Sequence, residues 1–234
     1  MNPLTGVLTE AWELYHRYSP HLLLISFVIY LVVAVVSAIL VAVLGGFGAF
    51  LGDILSVFGM FLTQAALVKA VQDVRDWRAD LSVRETVSAA LPFTGAVALA
   101  SILASIAIAI GFALIIVPGL ILVTFLSLIV PCIVIGGTGA LTSFATSWRT
   151  VSGYGWHVFG TYVWTFLLLI GAEIVIYVVL LPLPEAARSF IAEIVAGTLV
   201  APFIAAVVTL IYYRLSAAHG EASEPEPAGT YGPL

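Results

Sequence analysis

The chain has 234 residues, of which 62% are hydrophobic and only 9% charged, with a formal net charge of −5. A water-soluble domain of this size carries roughly a quarter charged residues, so the composition excludes one. The charges fall between apolar runs, each long enough for the about 20 helical residues that a bilayer crossing takes. The chain therefore reads as an all-α, polytopic membrane protein.

In chain order, Leu4, Val7, Leu8, Ala11, Trp12 and Tyr15 recur at helical spacing, with Glu10, Glu13 and Arg17 on other faces. This predicts a short amphipathic helix, lying at the inner interface or packed on the bundle. Six spans follow, at about 21–44, 50–71, 92–117, 119–137, 156–181 and 190–213, forming a single domain over 1–215. The first is too long for the about 7–15 apolar residues of a secretory signal. The runs are continuous, whereas barrel strands alternate apolar with polar residues, and a continuous helix satisfies its own backbone hydrogen bonds in lipid.

Between the second and third spans, Lys69 to Glu85 carries four basic and four acidic residues. A patch for anionic lipid needs an excess of about 4–8 basic residues, so a solvated helix with internal ion pairs is expected instead. Ser82-Val83-Arg84-Glu85 has the form of a capping box that starts a new helix, to be broken or redirected at Pro92. Val117-Pro118-Gly119 is the one break in a long apolar stretch, and a tight reversal is expected there. Pro131 and Pro202 are expected to kink the fourth and sixth spans. Leu141, Phe144, Ala145, Trp148 and Val151 form an apolar stripe between spans four and five, closed by Gly153, which predicts a second amphipathic helix along the interface. Residues 216–234, rich in Gly, Pro, Ala and Glu, are expected to be disordered. Small residues at four-residue spacing (Ala34, Ala38 and Ala42; Ala100 and Ala104; Ala107 and Gly111) suit close helix approach.

The basic residues set the orientation. With six spans and the N-terminus inside, Arg17, Lys69, Arg75, Arg78, Arg84, Arg149 and Arg214 face the cytoplasm and only Arg188 lies outside. The positive-inside bias then predicts that both termini are cytoplasmic.

Chemistry-bearing motifs are sparse. The sequence contains no HExxH, CxxC, P-loop or GxSxG pattern, and no catalytic, cofactor-binding or metal site is predicted. Cys132, the single cysteine, reads as a small buried residue. Glu173 stands out, flanked by Ile170-Gly171-Ala172 and Ile174-Val175-Ile176. A charge at that depth costs at least ~2–3 kcal/mol, so Glu173 is expected to face inward and meet a polar group. Arg188 and Glu193, with Asp53 and Glu185, are expected on the same outer side. The cluster would bind a cation, relay a proton or simply pair helices.

The order of Val117-Pro118-Gly119-Leu120, Pro131, Ser147-Trp148-Arg149, an aromatic-rich entry to the fifth span and Tyr212-Tyr213-Arg214 resembles one bacterial family. It is the six-helix domain of membrane-anchored glycerophosphodiester phosphodiesterases and of related stand-alone membrane proteins of unknown function. The resemblance covers roughly Leu4 to Arg214 and implies a six-helix fold, a bacterial inner membrane and a lipid-related accessory role. Ser152 and His157 stand where family members often carry basic residues, which weakens a basic interfacial patch around Ser147, Trp148 and Arg149. The soluble phosphodiesterase domain is not in this sequence, so its activity is not carried over.

Three functions compete: a non-enzymatic scaffold or accessory protein in envelope or lipid homeostasis, a small transporter or channel using Glu173, and a membrane-embedded lipid enzyme. The first is the leading expectation. Its partners would be membrane lipids and a second copy or another membrane protein, with no nucleic acid and no cofactor.

Overall fold

A computed structural model describes residues 3–75 and 80–220, and only the backbone of residues 185–194, 196 and 197. The described residues form eight α-helices: α1 (Val7–Leu44), α2 (Gly46–Val74), α3 (Val83–Leu114), α4 (Ile116–Leu126), α5 (Ile129–Val134), α6 (Thr142–Val151), α7 (Gly155–Leu180) and α8 (Glu185–Ala218). Six of the helical units are long and apolar enough to cross a membrane, with α4 and α5 together forming the fourth. The chain is a multi-pass, all-helical membrane protein.

The N-terminal amphipathic segment is helical as expected and meets the first span across a kink. It runs into the first span as α1, with non-helical backbone at Tyr18 just before Pro20. Leu4, Val7, Ala11 and Leu14 are buried against the bundle, so the packed alternative is the one realised. Pro92, in contrast, lies within an unbroken α3. Of the Lys69–Glu85 stretch, Lys69 to Val74 belong to α2 and Val83 to Glu85 to the first turn of α3, with residues 80–82 non-helical. Asp76 and Arg78 lie outside the described residues. The Asp73 carboxylate accepts from the N–H groups of Asp80 and Leu81, both at 3.1 Å, and so ties the end of α2 to the residues before α3. The capping box is present, with Ser82 accepting from the Glu85 amide and Glu85 accepting from the Ser82 amide.

The reversal between spans three and four falls at Ile115, two residues before the expected Val117. Pro118 then occupies the first turn of α4, where a helix has no intrahelical partner for its N–H groups and a proline does no harm. Gly119 serves a different purpose: a Cβ there would stand 2.5 Å from the Phe112 ring, so its lack of a side chain lets α4 close onto α3. Ala100, Ala104 and Gly111 are buried on the α3 side, as their spacing suggested. On α1 the spacing misleads. Ala38 and Ala42 are exposed, and α2 instead presses Gly52 and Gly59 against Ser37 and Val33.

The best-buried core lies at the end of the bundle that carries both termini. It includes Leu14, Leu22 and Ile25 of α1, Leu67, Val71 and Val74 of α2, Ile133 of α5, and Leu210, Ile211 and Leu215 of α8. At the other end the helices expose Val32, Ile39 and Val43 on α1 and Phe166, Val175 and Val179 on α7. Such a belt suits lipid and not water. Several buried hydroxyls are returned to their own helices, as Ser26 to the Leu22 carbonyl, Thr63 to Gly59, Thr94 to Ala90 and Thr165 to Thr161. This leaves them no exposed polar cost in an apolar medium.

Candidate functional site

The fourth span breaks between α4 and α5, at Ser127 and Leu128. Pro131, in the first turn of α5, cannot continue the ladder of α4 through the break. The break is filled from α6. The Leu128 N–H donates to Ser147 Oγ at 3.2 Å, and the Ser147 hydroxyl donates to the Phe125 carbonyl at 2.7 Å. Ser127 donates to the Thr124 carbonyl at 2.8 Å. Trp148, the next residue of the motif, lays its ring 4.3 Å from that of Phe125. The Ser147-Trp148-Arg149 tract is thus a lock on the kinked span, with Arg149 exposed beyond it. The face that α6 turns inward is Ser143, Ser147, Thr150 and Val151, whereas Leu141 and Trp148 of the apolar stripe are exposed. Leu141, Ala145 and Trp148 of the stripe therefore face outward, Phe144 packs half-buried on the core and Val151 is buried, and Gly153, at φ +86°, ends the helix region as expected.

At the terminal end the Tyr212-Tyr213-Arg214 tract ties the two chain ends together. Arg214 pairs with Glu10 and donates to the carbonyls of Pro3 and Thr5. The Arg75 guanidinium stacks 3.8 Å from the centre of the Tyr213 ring, a cation–π contact between α2 and α8. Trp12 and Tyr15 meet Phe203 edge-on.

Glu173 is not where it was expected. It lies exposed on the outer face of α7, with no hydrogen bond or ion pair among the described residues. The reason is that α7 joins the bundle through its first half, where Val158 and Thr165 are buried, and is bare beyond Leu169. Asp53 is also exposed. The side chains of Glu185, Arg188 and Glu193 lie outside the described residues. Most of the expected outer polar cluster thus lies outside the described side chains, and among the described residues no group of His, Cys, Asp or Glu could hold a metal.

A feature that sequence reasoning missed lies inside the bundle. A cavity of about 280 Å³ opens between α1, α2, the α4–α5 break and α8. Leu67, Val68, Val130 and Ala205 supply apolar wall, and Tyr30, Thr63, Gln64 and Ser127 supply polar groups. None of the described residues that line it is charged. The available signal was Gln64, one of only two glutamines in the chain and the one set deep in an apolar run.

Helices of membrane-crossing length, a kinked fourth span and an uncharged interior cavity define a polytopic helical membrane protein. Residues 5–219 match the model of a family described as a domain of unknown function, DUF7847, and the chain belongs to that family. Neither a curated protein nor a solved structure matches it.

Proposed function

We propose that this protein is a non-enzymatic scaffold or accessory protein of the cell membrane, with both termini cytoplasmic and a role in envelope or lipid homeostasis. The observation that carries this reading is the bracing of the terminal end, where Arg214 holds Glu10 and the backbone of the first residues, and Arg75 stacks on Tyr213. A face braced across the whole length of the chain suits a platform that holds its shape for a membrane-protein partner or a second copy. The topology supports the orientation: Arg17, Lys69, Arg75, Arg84, Arg149 and Arg214 all fall at that end, as the positive-inside bias requires of a cytoplasmic face. The resemblance to the six-helix phosphodiesterase-associated domain fits the same role.

The transporter reading needs Glu173 on an internal path, and an exposed carboxylate on the outer face of α7 gives it little support. The test is flux. Protein reconstituted into vesicles loaded with pH- and potassium-sensitive dyes should leave both gradients unchanged. A protein-dependent flux abolished by Glu173→Gln would replace the scaffold reading with the transporter.

A further inference from the structure

We propose that the cavity beside Gln64 is a binding site for an uncharged, membrane-dissolved lipid that carries a carbonyl group on an apolar chain. This goes beyond the scaffold reading and does not depend on it.

The depth of the cavity comes first. Gln64 lies ten residues before the end of α2 at Val74, and Ile204 lies ten residues before Arg214. At 1.5 Å per residue both stand about 15 Å inside the terminal end, near the middle of a hydrocarbon layer about 30 Å thick. Met60 and Ile204 line the cavity and are also exposed, at 42% and 38%, so its mouth opens through the side of the bundle. A ligand reaching that mouth comes from the hydrocarbon layer and not from water.

The polar groups then select its chemistry. The hydroxyl protons of Thr63 and Ser127 are committed to the carbonyls of Gly59 and Thr124, each at 2.8 Å. Those two oxygens can only accept. The Gln64 amide has two donors and one acceptor, and none of them has a partner among the described residues. Gln64 is half-buried in an otherwise mostly apolar wall, and a ligand carbonyl accepting from its amide supplies a hydrogen bond that lipid tails do not offer. With no charged residue among the described lining, a phosphate or carboxylate head would be buried without a counter-charge. The volume of about 280 Å³ holds about nine water-sized groups. That is room for one ring or one glyceride ester with a few methylenes, the rest of the chain staying in lipid. A prenyl-type quinone and a diacylglycerol share this chemistry.

Native mass spectrometry of the purified full chain in nonionic detergent tests the site with three probes: a decyl-substituted benzoquinone, didecanoylglycerol and decylbenzene. At least one of the two carbonyl probes should be retained one to one, and decylbenzene at least tenfold less. The carbonyl probe that is retained identifies the source. Gln64→Leu should lower retention at least tenfold without lowering the melting temperature, and Ile204→Trp, which crowds the mouth, should do the same. Should Gln64→Leu fail to fold, Ile204→Trp carries the test alone, being outside the core. Three results would overturn the proposal: neither carbonyl probe retained, decylbenzene retained equally, or variants that bind as the parent does.

Discussion

Replacing Ser147 with alanine removes one oxygen atom and opens the break in the fourth span. That oxygen accepts from the Leu128 N–H and donates to the Phe125 carbonyl, and both Ser147 and Leu128 are fully buried. Hydrogen bonds between membrane helices average only about 0.6 kcal/mol, because the partners usually find others. Here the backbone N–H has lost its place in the ladder at the kink, so a buried donor is left unsatisfied, which costs about 1–3 kcal/mol. The second effect outweighs the first, and Ser147→Ala should destabilise by about 2 kcal/mol. For a chain of this size that corresponds to about 4–8 °C in melting temperature. Cys132 supplies the assay, since it is the only cysteine and is fully buried in α5, next to the break. A thiol-reactive fluorogenic dye reports its exposure as the protein is heated in detergent. Ser143→Ala is the control, because Ser143 returns its hydroxyl to Ala140 on its own side of the helix start. If both variants melt with the parent, Ser147 does not hold the kink.

Gly48→Ala should prevent accumulation or cost several degrees, because its Cβ would stand 1.9 Å from the backbone carbonyl of Leu40, whereas Gly46→Ala meets nothing and should behave as the parent in the same melts. Arg214→Met and Glu10→Gln should each destabilise, and their double-mutant cycle should show a coupling of about 1 kcal/mol for the paired groups. Glu173→Gln should shift the melting temperature by less than about 2 °C, within the range of exposed substitutions; a larger loss would mean that the carboxylate has a structural partner.

Span number and type were legible because apolar runs of membrane length have one economical solution. The capping box, the buried cysteine and the glycine stop after α6 were legible for local reasons, each depending on residues a turn apart. What failed depended on tertiary neighbours. Pro118 looked like the reversal itself, but a proline is equally at home in a first turn, and the chain turns at Ile115. The alanines of α1 have the right period for close packing, yet period does not say which partner carries the glycines, and α2 does. On α6 the apolar stripe placed a helix along the interface without saying which residues turn inward. In a lipid setting apolar side chains are as comfortable outside as in, and the hydroxyls that span four needs decide which face turns inward. Glu173 was placed inward by cost alone, and cost cannot foresee a helix whose outer half stands clear of its neighbours.

The break at Ser127 and Leu128 serves two neighbours at once. On one side Ser147 reaches across from α6 to Phe125 and Leu128. On the other, Ser127 forms part of the wall of the cavity that Gln64 also lines. A straight fourth span would restore its own ladder, leave Ser147 without its partners and carry Ser127 out of the cavity lining. Proline at position 131 favours the broken form, since it has no N–H to offer the ladder across the break. The motif that stands out in the sequence and the cavity that does not are therefore supported by the same backbone defect. The outward placement of Trp148 follows from it too, because the serine that fills the defect must point inward, and the next residue is then carried toward the lipid side.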